Sequence, residues 1–140
     1  MKSIFLAGPS FNDMEIKRNR DLATDLRNAG CEVFLPQEDV GILYDTSNQT
    51  AIMESRRAIF EGDVEGIKVC DFLLILLDGR VPDEGACVEL GIAWALGKRC
   101  FGLKTDFRAM DEFGFDNIMI EQALEKKFKS TDELLAFIMD

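Results

Sequence analysis

The sequence predicts an α/β fold: a three-layer sandwich in which helices cover both faces of a parallel sheet. Three observations lead there. The 140 residues match one ordinary domain, taken here as residues 1–140 without a linker or repeat. Short apolar runs alternate with amphipathic stretches, the pattern of strands joined by right-handed helical crossovers. One run, Asp71 to Leu77, is so uniformly apolar that it belongs at the centre of the sheet, buried on both faces.

The elements follow in order. Ser3 to Ala7 is a buried strand ended by Gly8-Pro9-Ser10. Asn12 or Asp13 caps a helix that runs to about Ala29, with Leu22, Leu26 and Ala29 on one stripe, and Gly30 stops it. Cys31 to Leu35 forms the second strand, closed by Pro36. Residues 37–50 lack any period and read as a loop of functional length. A helix from about Thr50 to Lys68 is weakened by Gly62 and Gly66. After the central strand come a turn-rich connection, Asp78 to Gly85, and a helix to Gly97. Arg99 to Leu103 is the fourth strand, residues 105–117 look irregular, and Ser130 with Glu133 has capping-box spacing at the start of a last helix. Parallel sheets bind ligands at the carboxyl ends of their strands, here Gly8-Pro9-Ser10, Pro36-Gln37-Glu38 and Asp78 to Gly85.

Charge narrows the chemistry. Sixteen basic against 26 acidic residues give a formal net charge of −10, which disfavours nucleic-acid and anionic-membrane partners. No apolar run is long enough to span a bilayer, and the opening six residues are too short for a signal peptide, so a cytoplasmic protein is expected. With no histidine, catalytic triads and His-ligated metals are excluded, and acid–base work falls to carboxylates. Cys31, Cys70, Cys87 and Cys100 have no C-x-x-C spacing and read as small core thiols in a reducing compartment.

Glu89 is the oddest residue. It lies in Gly85-Ala86-Cys87-Val88-Glu89-Leu90-Gly91-Ile92-Ala93, with small or apolar neighbours at helical spacing and no polar stripe to hold it in water. Such a carboxylate faces a packed interior or a cavity, unless it lies on an edge of the helix at the surface or is buried against an Arg or Lys. Asp83, six residues earlier, is a helix N-cap or a site acid; Asp63 is a solvated helix residue or a site acid. Asp78 ends the central strand, where a turn former and an active-site residue are both at home. Gly8-Pro9-Ser10 lacks the spacing of dinucleotide and P-loop phosphate sites. Paired carboxylates without histidine fit a nucleophile and an acid in glycosyl transfer.

Phe5-Leu6-Ala7-Gly8-Pro9, Asp63 ahead of Asp71, Asp83-x-Gly85-x-x-x-Glu89-x-Gly91-x-Ala93, Gly97-Lys98 and a late Asn117-Ile118-Met119 together resemble the nucleoside 2-deoxyribosyltransferase family, from residue 4 to the last helix. The resemblance implies a flavodoxin-like fold and exchange of nucleobases on a deoxyribose, with no cofactor and no metal. It implies Glu89 as the nucleophile, Asp83 and Asp63 as acids contacting the base, and Phe5, Gly8 and Pro9 beside the substrate. Asn117 and Met119 would come from a neighbouring subunit to hold the sugar's 5′ end, making the protein a homo-oligomer with shared sites. The implied partners are nucleosides and free nucleobases. Phe5 departs from the pattern, since many family members carry Tyr there. Phe cannot hydrogen-bond Glu89, and it leaves space beside C2, which keeps open ribose substrates and hydrolysis by an N-glycosidase acting on nucleosides or nucleoside 5′-monophosphates.

Overall fold

A computed structural model describes residues 1–108 and 111–140. Five parallel strands, β1 (Ser3–Ala7), β2 (Glu32–Phe34), β3 (Phe72–Leu76), β4 (Arg99–Leu103) and β5 (Lys126–Phe128), form one sheet in the order β2-β1-β3-β4-β5. This is the flavodoxin-like order, with the reversal of winding between β1 and β3. The apolar run of 71–77 supplies β3 at the middle position, as its composition predicts.

Alternation along the strands builds a core on each face. Ile4 and Leu6 point to one side, where they meet Leu22, Ala23 and Leu26 of α1 (Asp13–Asn28) and Leu134 of α6 (Thr131–Met139). Phe5 and Ala7 point to the other, packing with Leu73, Ile75 and Leu77 beneath α3 (Gln49–Val69) and α4 (Glu84–Ala95). Caps behave as the side chains require: Asn12 Oδ1 accepts from the Glu15 amide, and Ser130 Oγ from the Glu133 amide. Gly30, at φ +91°, ends α1 in the left-handed conformation that a side chain would oppose.

Three elements depart from the sequence reading. Residues 37–50 are not wholly irregular, because Pro36 starts a one-turn helix, α2 (Pro36–Asp39), closed by Asp39 accepting from the Leu35 amide. Between residue 117 and the last helix lie a short helix, α5 (Ile118–Ala123), and the fifth strand. The helix read from about Thr50 to Lys68 does form, as α3, and Gly66 serves it: a Cβ there would stand 2.6 Å from the Phe34 ring, so the glycine lets α3 close onto β2.

Candidate active site

The carboxyl ends of β1 and β3 face the start of α4, and the sequence between them decides what stands there. Gly8 follows β1 tightly against β3: a Cβ on it would meet Leu76 Cδ1 at 2.9 Å. The next peptide is pinned from α1, where the buried Asn19 donates from Nδ2 to the Pro9 carbonyl (2.9 Å) and to Gln37 Oε1 (3.0 Å). Gln37 in turn donates to the Ile16 carbonyl. The Gly8-Pro9 loop is therefore fixed by α1 and α2 rather than left free.

Asp83 caps α4, its Oδ2 accepting from the Ala86 amide at 2.8 Å, and Gly85 leaves room for that carboxylate. Glu89 lies farther along α4, between the buried face of Ala86, Leu90 and Ala93 and the exposed face of Val88 and Gly91. It is half-buried on the side of α4 toward α3, which carries Asp63. Burial pushes the Glu89 carboxyl up to about 8, and the negative charges of Asp63 and Asp83 push the same way. Burial alone raises Asp63 to about 6, and its Oδ1 is buried without a hydrogen-bond partner. The structure thus brings Asp63, Asp83 and Glu89 into one cluster of acids. An unsatisfied buried acceptor is costly, and a ligand N–H or O–H would relieve it.

The other predicted residues lie apart from that cluster's acids in kind. Phe5 is wholly buried, its ring stacked on Phe34 with centroids 5.4 Å apart, so it forms the floor under α3 and α4 rather than an open wall. Asn117 caps α5, its Oδ1 accepting from the Met119 amide, and Met119 is 78% exposed. Both stand on the surface, where a second chain can reach them. Asp78 is committed elsewhere: its oxygens take the Arg18 guanidinium and the amide and hydroxyl of Thr105, which ties the loop after β4 to β3.

Asn19 escaped the sequence reading because Arg18-Asn19-Arg20 looks solvated. Its spacing to Leu22, Ala23 and Leu26 places it on the buried stripe, a signal that was there to be used. Among the described residues, no group of three or more His, Cys, Asp or Glu is placed to hold a metal ion. A small apolar cavity of about 60 Å³ lies at the opposite end of the sheet, under α6 between Ile4, Phe72, Phe101 and Phe137, remote from the acids. The cysteine thiols are free; Cys31, Cys70 and Cys100 are buried and Cys87 half-buried.

Sequence and structure comparisons place the chain in a known family. The family profile described as nucleoside 2-deoxyribosyltransferase matches residues 4–132, and the chain belongs to that family. A 2-deoxyribosyltransferase from Bacillus psychrosaccharolyticus superposes with a TM-score of 0.76 at 27% identity, over 97% of this chain and 95% of that one. A conserved protein from Enterococcus faecalis gives 0.74 at 26% identity, over 99% and 97%. A CMP N-glycosidase from Clostridium botulinum, 23% identical over 98% of both chains with a TM-score of 0.63, shares the fold. A search of curated proteins found no match.

Proposed function

We propose that the protein transfers a 2-deoxyribosyl group from one nucleobase to another through a glycosyl ester on Glu89. The observation that carries this reading is the acid cluster: a half-buried glutamate in an otherwise apolar helix wall, beside a buried carboxylate with an unpartnered oxygen. Small residues flank Glu89, so a sugar can approach its carboxylate closely.

With Glu89 raised to about 8 and Asp63 to about 6, the free protein between those values carries the proton on Glu89 and leaves Asp63 ionised. Attack requires the less populated arrangement, with Glu89 ionised and the proton on Asp63. Glu89 attacks the anomeric carbon, the C–N bond breaks, and its electron pair goes to the base nitrogen. Asp63 supplies the proton that lets the base depart neutral, and Asp83 contacts the base from the start of α4. The transition state is oxocarbenium-like, so the Glu89 charge stabilises it before the new bond is complete. An incoming base reverses these steps and takes the sugar, which gives ping-pong kinetics.

Asn117 and Met119 support a shared site. Both are exposed on this chain, and the outer face of α4 with α5 presents Val88, Trp94 and Ile118 to solvent. A second copy docking there by two-fold symmetry would complete each site with the other's Asn117 and Met119.

A second reading keeps the carboxylates and makes water the acceptor. Phe5 favours it, because no phenol hydroxyl at that position steadies Glu89. The test is incubation with deoxyinosine plus adenine or cytosine, beside deoxycytidine plus adenine, with products separated by chromatography. A new nucleoside supports transfer. Free deoxyribose without a new nucleoside selects hydrolysis, and intact donors in all mixtures, together with intact ribonucleosides and nucleoside monophosphates, would overturn both.

A further inference from the structure

Asp116 is the most deeply buried charged side chain outside the acid cluster, 1% exposed, and the chemistry above does not use it. Its Oδ1 takes the ammonium of Lys104 at 3.0 Å, and its Oδ2 that of Lys127 at 3.1 Å. Lys104 follows β4 and also donates to the Leu77 carbonyl (3.2 Å) at the end of β3. Lys127 lies in β5 and is paired as well with Glu121, whose Oε1 accepts from the Asp116 amide (2.9 Å). One residue is thus held by side chain and backbone to the carboxyl ends of β3 and β4 and to β5.

Buried ion pairs add little net stability over apolar packing, since desolvation offsets most of their attraction. What this one does add is position. A carboxylate with each oxygen committed to a different ammonium cannot slide without losing one of them. Asp116 stands immediately before Asn117, and Ile120, 8% exposed, anchors the same segment three residues later in the core beneath α5. These two anchors bracket Asn117, Ile118 and Met119, whose side chains are exposed.

We infer that Asp116, clamped by Lys104 and Lys127, is a positioning residue that sets Asn117 and Met119 for contact with the 5′ end of the sugar. The inference rests on the proposed role of Asn117 and Met119. Loss of the clamp lets the segment drift while the acids on α3 and α4 stay in place, so the defect belongs to one end of the substrate.

The experiment crosses enzyme variants with two donors, a 2′-deoxynucleoside and its 2′,5′-dideoxy analogue, following base release or exchange. Asp116→Asn keeps the shape and offers one acceptor for two ammoniums. It is expected to lose about 10-fold in kcat/KM with the 5′-hydroxylated donor, mainly through KM, and less than about 2-fold with the dideoxy donor. Lys127→Gln, which leaves Lys104 on Asp116, is expected to show a smaller loss of the same pattern and serves where Asp116→Asn fails to fold. Asn117→Ala separates the two ideas. Where it is sensitive to the 5′-hydroxyl and the clamp variants lose equally on both donors, or lose nothing, the positioning role is wrong and the Asn117 contact stands. Where Asn117→Ala shows no dependence on the 5′-hydroxyl, the contact itself is wrong and the clamp inference goes with it.

Discussion

Glu89→Gln should make the protein more stable and less active, and the gain in stability should depend on pH. The folded-state carboxyl lies at about 8 against an ordinary value of 4.5, so the native state binds a proton that the unfolded chain releases. Native stability therefore falls as pH rises from about 4.5 to about 8, and is lower by a constant amount beyond. The displacement of about 3.5 units corresponds to roughly 5 kcal/mol as an upper bound, of which relaxation and the coupling to Asp63 leave about 2–4 kcal/mol. Gln has the shape of the acid and no charge to lose. The difference in melting temperature between variant and wild type should thus widen between pH 5 and pH 8.5 by about 6–12 °C, at roughly 3 °C per kcal/mol for a chain of this size. Thermal unfolding in a pH series, followed by circular dichroism, measures it. In parallel, kcat should fall by several orders of magnitude with substrate binding retained. A difference that stays flat with pH would refute the claim that the site opposes Glu89 ionisation. A variant keeping more than about a tenth of the rate, a barrier change under about 1.4 kcal/mol, would remove Glu89 from the nucleophile role.

The same two acids set the pH profile: kcat/KM should be bell-shaped with limbs near 6 and 8 that belong to the pair, and Asp63→Asn should leave a slower enzyme with one rising limb, that of Glu89, below 8 because a neighbouring negative charge is gone. A profile flat from pH 5 to pH 9 in the wild type would contradict this assignment. Phe5→Tyr adds a hydroxyl to the packed floor under α3 and α4; where that floor meets the C2 side of the sugar it is expected to raise the deoxyribose-to-ribose ratio of kcat/KM by about 10- to 100-fold. An unchanged ratio with lowered stability would leave Phe5 a core residue only. Analytical ultracentrifugation at micromolar concentration should show at least a dimer, and Met119→Asp should weaken it together with activity; a fully active monomer would end the shared-site reading.

Much of the fold is legible because burial writes itself into composition. Asp71 to Leu77 could only be a central strand, and Gly30 and the Ser130–Glu133 pair mark helix ends through backbone geometry that few residues satisfy. The edge strand Lys126–Phe128 was illegible for the opposite reason: it is three residues long and buries only Phe128 fully, so no alternation can form. Gly66 looked like a weak point of α3, although the structure needs it for approach to Phe34, a partner more than thirty residues earlier in the chain. Glu89 stands out because α4, beyond Glu84 at its first position, holds no other charged residue. Asp116 did not, since its two lysines arrive from separate strands and its sequence neighbours, Phe115 and Asn117, are exposed. Local patterns show which residues are buried; they do not show which distant charges meet.

The covalent ester on Glu89 is the claim on which the mechanism turns, and trapping tests it most directly. A 2′-fluoro-arabinosyl nucleoside slows breakdown of the intermediate more than the protein can compensate, because fluorine destabilises the oxocarbenium-like transition state. Intact-mass measurement should show one fluorosugar added per chain, peptide mapping should place it on Glu89, and Glu89→Ala should abolish it. An adduct on another residue, or no adduct while the same preparation turns over an ordinary donor, would contradict the account.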